Sequence, residues 1–175
     1  MPEEQWMTHL AVEHRLRVRY AETDQAGIVY HANYLIWFHE ARDTAFRTWA
    51  AAAVKEREAK NTRWSDEFEG ILAKGRAIGS DSLEEIGYRF LVIEASCRYL
   101  SPARYGDEII VTVLPCMTTV AKLTFAYKAR NAKTQRPIAE GRTSSVIIGR
   151  SGQMLIRMPR QYREIFQPAE VAAYA

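Results

Sequence analysis

Residues 20–34, "YAETDQAGIVYHANY", gather side chains that can do chemistry. Asp24 stands between a strand-like run and Gly27, and His31 follows seven residues after Asp24. A carboxylate so placed can attack a carbonyl or take a proton from water. Glycine lets backbone approach a ligand closely. A helix starting just downstream offers unsatisfied N–H groups and about half a positive charge, suited to an oxygen that gains charge during a reaction. The plainer alternative is a turn aspartate beside a turn glycine, and spacing alone favours it. His31 taken alone reads as a packed or capping histidine. Beside Asp24 it could titrate near neutral pH and orient or move a proton. Tyr20 points either into the core or toward the same pocket, and core is the default for a strand tyrosine.

Other motifs narrow the chemistry. "HEARD" at 39–43 begins like H-E-x-x-H, which puts two imidazoles on one helix face for zinc, but its fifth position is Asp43. None of the four histidines has metal spacing, so no metal site is expected. Glu40 belongs to a solvated face or lines a pocket. The chain has no G-x-S-x-G elbow, no P-loop and no G-x-G-x-x-G, so a serine hydrolase or nucleotide-driven enzyme is unsupported.

The elements that must position Asp24 follow from hydrophobic period. "EHRLRVRYAE" alternates Leu16, Val18 and Tyr20 against Arg15, Arg17 and Arg19, a half-buried strand. "TDQAGIVYHA" has no period and reads as a turn-rich connection. From Asn33, Tyr34, Phe38, Ala41, Ala45 and Trp49 recur at steps of three or four, with Leu35, Trp37 and Phe46 widening the stripe. This predicts an amphipathic helix to about Lys60, with Asn33 as N-cap. "SDEFEGILAKG" predicts a shorter helix capped by Ser65 and stopped by Gly75. "RAIGSDSLEEIG" reads as loop with a turn of helix.

Strands dominate afterwards. "YRFLVIEASCRYL" places Leu91, Ile93, Ala95, Cys97 and Tyr99 on one face. "EIIVTVLPCM" is apolar on both faces, as a central strand is. "AKLTFAYKARN" alternates, and "RPIAEGRTSSVIIGR" carries Gly141 where a bulge or close approach would fall. "RSGQ" is a turn and "PRQYREIF" a short terminal helix. Segregated helices and strands indicate an α+β fold.

The whole chain sets limits. Its 175 residues suit a single domain over 1–175, with the first ten residues and "PAEVAAYA" expected to fray. A net charge of +3, with scattered basic residues, is too mild to argue for nucleic acid and serves an anionic small ligand equally well. Cys97 and Cys116 lie in apolar runs and read as buried free thiols. No signal peptide is expected at "MPEEQWMTHL", and no run approaches a membrane span. A reducing cytoplasm fits best.

"VRYAETDQAGIVYHANYLIWFHEAR" resembles the opening signature of the hotdog-fold acyl-CoA thioesterases, nearest the 4-hydroxybenzoyl-CoA thioesterase type and the short acyl-CoA thioesterases linked to the Tol–Pal system. "CRYLSPARYGDEIIV" resembles the second landmark of that family, and the resemblance covers residues 14–165. It implies a five-stranded antiparallel sheet wrapped round the long helix, and a homodimer or homotetramer with active sites at the dimer interface. It implies an acyl-CoA thioester as substrate, no cofactor beyond the coenzyme A of that substrate, and Asp24 as nucleophile or general base. The backbone N–H near His31 would polarise the thioester carbonyl, with the His31 ring and Tyr20 as possible assistants. Gly27, Tyr30 and Lys122 are the candidate substrate contacts. Glu22 stands where the signature carries Asp. "TTVAKL" holds only Lys122 where the prototype has a basic cluster for the CoA phosphates, which leaves an acyl carrier protein open as carrier. Two alternatives stand beside hydrolysis. One is a non-catalytic acyl-CoA-binding module. The other is a hydratase, whose aspartate and histidine lie five apart, whereas Asp24 and His31 are seven apart. The segment near 60–86 caps the site or lengthens the dimer edge.

Overall fold

The run "EIIVTVLPCM" has no polar face, and it becomes an interior strand of the sheet. The computed structural model describes residues 5–73, 80–117 and 121–166. Its strands are β1 (Gln5–Trp6), β2 (Val12–Arg17), β3 (Arg89–Tyr99), β4 (Glu108–Met117), β5 (Lys122–Asn131) and β6 (Pro137–Ile148). They join in one sheet of order β1-β4-β5-β6-β3, with β2 also beside β4. β2 runs antiparallel to β4 from Val12↔Val113 to Arg17↔Glu108, and β5 runs antiparallel along the other edge of β4 from Asn131↔Ile109 to Leu123↔Met117. Ile109, Ile110, Val111 and Val113 are all buried, as a two-sided apolar strand requires. The five long strands are those expected. β1 is an addition: Gln5 and Trp6 pair with Met117 and Cys116, so part of the first ten residues is ordered rather than frayed.

The helices are α1 (Asn33–Lys60), α2 (Asp66–Ala73), α3 (Ser80–Glu85) and α4 (Arg160–Phe166). Gly75, the expected stop of α2, and the tail from 167 lie outside the described residues. No helix among the described residues is long and apolar enough to cross a membrane.

The chain divides into two compact units. The first comprises Met1–Ala45, Val92–Met117 and Leu123–Ser145. Its core is the first half of α1 laid on the sheet. Tyr34, Trp37, Phe38, Ala41 and Ala45 are buried there. The Phe38 ring stacks on Tyr127 of β5 at 4.7 Å between centroids, 10° from parallel. Gly141 of β6 makes this approach possible: a Cβ there would sit 2.2 Å from Cε2 of Phe38. The expected close approach is therefore to the helix. Leu35 was placed on the buried stripe by its spacing. It is exposed, as is Ile36, because both point away from the sheet.

The second unit comprises Phe46–Leu91, Thr118–Lys122 and Val146–Ala175. Aromatic edges build its core. Phe90 meets Phe46 at 5.2 Å and Tyr162 at 4.9 Å, and Trp64 meets Phe68 at 5.4 Å. Glu164 is fully buried, and Ser65 donates its hydroxyl to the Glu164 carboxylate at 3.0 Å. Ser65 thus spends its side chain on α4 rather than capping α2. Arg160 donates to the other Glu164 oxygen at 2.9 Å. Neither cysteine is in a disulfide; Cys116 is buried and Cys97 half-buried.

Candidate active site

The alternation of β2 stops at Arg17, and a 3-10 turn (Tyr20–Glu22) follows. Tyr20 is therefore not a core strand residue. It is 77% exposed, and its ring meets the edge of Tyr105 at 5.9 Å. An antiparallel bridge Thr23↔Val29 folds the next residues back on themselves. Between its ends, Asp24 N–H donates to the Ile28 carbonyl and Gly27 N–H to the Asp24 carbonyl, both at 2.9 Å. Gly27 has φ +70°, the left-handed conformation that favours glycine. The Ala26 N–H donates to Asp24 Oδ1 at 2.8 Å, an Asx turn that orients the carboxylate. The second Asp24 oxygen carries no hydrogen bond among the described residues and faces solvent.

The returning arm leads to α1. Val29 is buried and donates to the Ala103 carbonyl at 2.9 Å, which fixes the arm to the Pro-Ala turn before β4. Tyr30 N–H donates to the Glu22 carbonyl at 2.9 Å. Among the described residues no acceptor takes the N–H of His31 or of Ala32. These donors precede a helix of 28 residues, so the helix dipole reinforces them. A carboxylate with one open oxygen thus stands at the bridge that leads into two open N–H groups.

The side chains near these donors are arranged unevenly. The His31 ring leans on the Tyr30 ring at 4.2 Å and makes no hydrogen bond to Asp24 among the described residues. Both rings are exposed. Arg104 Nη1 reaches the Gly27 carbonyl at 3.4 Å. Asn33 was expected as N-cap. Its amide instead donates to the Glu22 carbonyl at 2.8 Å, tying the helix start to the 3-10 turn. Lys122 opens β5, and its neighbour Leu123 pairs with Met117. His39 Nδ1 meets Arg42 Nη2 at 2.8 Å, so the "HEARD" histidine is engaged on its own helix. No three His, Cys, Asp or Glu side chains converge as a metal site among the described residues.

Two residues at this site carry no local sequence signal. Tyr99, 68 residues from His31 in sequence, donates its hydroxyl to the His31 carbonyl at 3.0 Å. Trp37 reads as core from its spacing, yet its indole N–H donates to Glu22 Oε1 at 3.0 Å. Glu22 is 5% exposed and also accepts from the Arg19 N–H at 2.7 Å and from Arg19 Nη2 at 2.8 Å. Burial pushes the Glu22 carboxyl up, and the Arg19 and Trp37 donors together outweigh it, holding the group below its ordinary value.

A long helix on a curved antiparallel sheet, with a carboxylate turn at its entrance, is the architecture of the hotdog thioesterases. A family model described as the Thioesterase-like superfamily matches residues 18–171, and the chain belongs to that family. It is 30% identical over 96 residues to the Bacillus subtilis protein named "Putative acyl-CoA thioesterase YneP", a match spanning 55% of this chain and half the length of that relative. It is 25% identical over 154 residues to a 1,4-dihydroxy-2-naphthoyl-CoA hydrolase of Thermosynechococcus vestitus, covering 86% of this chain and 80% of that one. Its fold matches the crystal structure of the DHNA-CoA thioesterase of Staphylococcus aureus with a TM-score of 0.68 at 19% identity, over 90% of this chain and 87% of that one.

Proposed function

We propose that this protein hydrolyses the thioester of a small or aromatic acyl-CoA, releasing the free acid and the thiol. The observation that carries the reading is an Asp24 oxygen left open on the bridged turn, with the open N–H groups of His31 and Ala32 following on the arm that leads into α1. The thioester carbonyl oxygen accepts from those N–H groups, which stabilise the oxyanion as the carbonyl carbon becomes tetrahedral. Asp24 either attacks that carbon or takes a proton from the attacking water. The C–S bond then breaks and the thiolate leaves, taking up a proton from the attacking water or from solvent to become the thiol. Where Asp24 has attacked, water then hydrolyses the mixed anhydride to the free acid and restores the Asp24 carboxylate. The His31 backbone is the donor in this reading, and its exposed ring and Tyr20 are at most assistants. Family membership and the names of the relatives support a CoA thioester, and the aryl-CoA names favour an aromatic acyl group. Gly27 and Tyr30 belong to the substrate-facing side of the turn. An acyl carrier protein thioester is the finer alternative on the carrier side. Two cysteines outside any disulfide fit a reducing cytoplasm.

The reading includes a homodimer, or a homotetramer built from it. β3 ends the sheet order, and Val92, Ile93 and Tyr99 are exposed on it. An apolar edge strand is a template for pairing with a second strand. The same pairing would supply the second wall of an acyl slot beside α1, and Lys122 of another copy could then meet the CoA phosphates.

The Asx-turn hydrogen bond of Asp24 favours one other reading, a protein that binds acyl-CoA without turnover. A thiol-release assay over acetyl-, medium-chain, long-chain, benzoyl-, hydroxybenzoyl- and dihydroxynaphthoyl-CoA separates the two. Release that Asp24→Asn abolishes in a folded protein supports hydrolysis. Tight binding with no release, or parent-rate release by Asp24→Asn, sinks it.

A further inference from the structure

We infer that Glu22 is the positioning residue of this site, holding Asp24 and the start of α1 in register. The inference deepens the proposed hydrolysis and rests on that reading for its kinetic consequence. Glu22 lies two residues before Asp24, and both ends of the residue are engaged. Its carboxylate takes the Arg19 N–H, the Arg19 guanidinium and the Trp37 indole N–H. Its carbonyl takes the Tyr30 N–H at 2.9 Å and the Asn33 amide at 2.8 Å. Five donors thus converge on one buried residue. They come from the turn before Asp24, from the arm that returns to the helix, and from the first two turns of α1. Trp37 is fully buried, so the carboxylate is what joins the turn to the interior of the fold. The Arg19 guanidinium neutralises the Glu22 charge beside Asp24, so pinning does not set two free carboxylates against each other.

The chemistry of the carboxylate is specific. Three N–H donors face its two oxygens. An amide offers one acceptor oxygen and turns its NH2 group toward a donor, so Glu22→Gln must break at least one of these bonds. The Trp37 indole is the buried donor of the three; left without its acceptor it is expensive, and the turn shifts to relieve it. A shift of about an ångström between reacting groups is enough to cost about a hundredfold in rate. Glu22→Asp keeps all acceptor sites on a shorter arm and suits a position where the resembling signature carries Asp.

Two measurements test the inference. In amide hydrogen exchange, Glu22→Gln is expected to speed exchange about tenfold or more at the hydrogen-bonded amides of residues 23–30 and to leave β4 and β5 within about twofold. In thiol-release kinetics, kcat is expected to fall about 10- to 100-fold with KM within about threefold, and Glu22→Asp to recover most of that loss. Unchanged exchange at the hydrogen-bonded amides of residues 23–30, or a uniform rise throughout the chain, overturns the inference. So does a kcat loss that Glu22→Asp does not recover while its fold is intact. If the parent protein releases no thiol, the hydrolase reading falls and the exchange pattern alone decides the pinning.

Discussion

Tyr99 of the edge strand β3 donates its hydroxyl to the main-chain carbonyl of His31 at 3.0 Å. The Tyr99 ring also packs edge-on to Tyr34 of α1 at 5.1 Å. One side chain thus links the exposed end of the sheet to the residue whose N–H is the proposed oxyanion donor. Tyr99→Phe keeps the ring contact and removes the bond. About 1 kcal/mol is the usual net worth of such a bond, or about fivefold in rate if all of it serves orientation. Thiol-release kinetics should show kcat down by about three- to tenfold, with little change in melting temperature.

Gly141 and Gly27 are required for different reasons, and alanine at each separates them. At Gly141 a methyl group meets the Phe38 ring at 2.2 Å and must displace a stacked aromatic pair. Overpacking of this kind costs about 1–3 kcal/mol. At Gly27 the nearest atom to a new Cβ is Arg104 Nη1 at 3.9 Å, so space is adequate and the strain lies in φ +70°. That strain is worth about 1 kcal/mol. Urea unfolding should therefore find Gly141→Ala the less stable, whereas Gly27→Ala should lose more activity than stability by shifting the Asp24 turn.

Local rules made much of this legible in the sequence. The period of "NYLIWFHEARDTAFRTW" placed α1, and the two-sided apolar run "IIVTVL" marked β4 as interior, because burial dictates both patterns. Gly141 stood out as a site of close approach for the same reason. The site was legible only as a list of residues. Asp24 and Gly27 were visible as turn chemistry, but the bridge Thr23↔Val29 that gives the turn its direction depends on Ala103, far along the chain. For Tyr20 the core is only the default of two readings, and the β2 alternation gives no sign that the strand ends at Arg17 and leaves the ring exposed. Leu35 was misread because a helical stripe shows which side is apolar, not how much of it the sheet covers. Glu22 was visible only as a departure from a signature, since the Trp37 and Asn33 donors come from a helix that must fold first.

Tyr162 offers a stabilising substitution. Its hydroxyl is buried and has no hydrogen-bond partner among the described residues, while its ring packs edge-on to Phe90 at 4.9 Å. Burial keeps the phenol from ionising, raising it far above its ordinary value, with Glu84 and Tyr88 adding to the effect. Tyr162→Phe keeps the ring and removes a desolvated hydroxyl. It should be neutral to stabilising by up to about 1 kcal/mol. Calorimetry checks this, the corresponding rise being about 2–4 °C.

The Glu22 carboxyl makes stability depend on pH. Burial raises it, the Arg19 and Trp37 donors lower it further, and its net position lies below the ordinary value of 4.5. A carboxyl depressed on folding contributes stability that is complete above its unfolded value. That contribution shrinks as pH falls below the unfolded value, and is gone once pH passes the lower folded value. Glu22→Gln does not titrate. The melting-temperature gap between parent and Glu22→Gln should therefore be widest above about pH 5.5 and should narrow steadily below about pH 4.5. A gap independent of pH would show that the carboxylate charge is not what the Arg19 and Trp37 donors recognise.

Ile93 tests the proposed pairing of two copies along β3. It is 55% exposed on β3, Val92 next to it and Tyr99 at the strand's end are exposed too, and β3 has a neighbour on one side only in the sheet order. Burying these side chains and the free strand edge against a second copy would remove an aggregation-prone surface and extend the sheet. Light scattering should give the parent two or four times the 20.1 kDa chain mass. Ile93→Lys places a charge on that edge and should shift the protein toward monomer, as charged residues do on natural edge strands. If the slot needs two chains, thiol release should fall with the dimer fraction and recover as protein concentration rises. A parent that is monomeric and fully active would instead place the whole site within one chain.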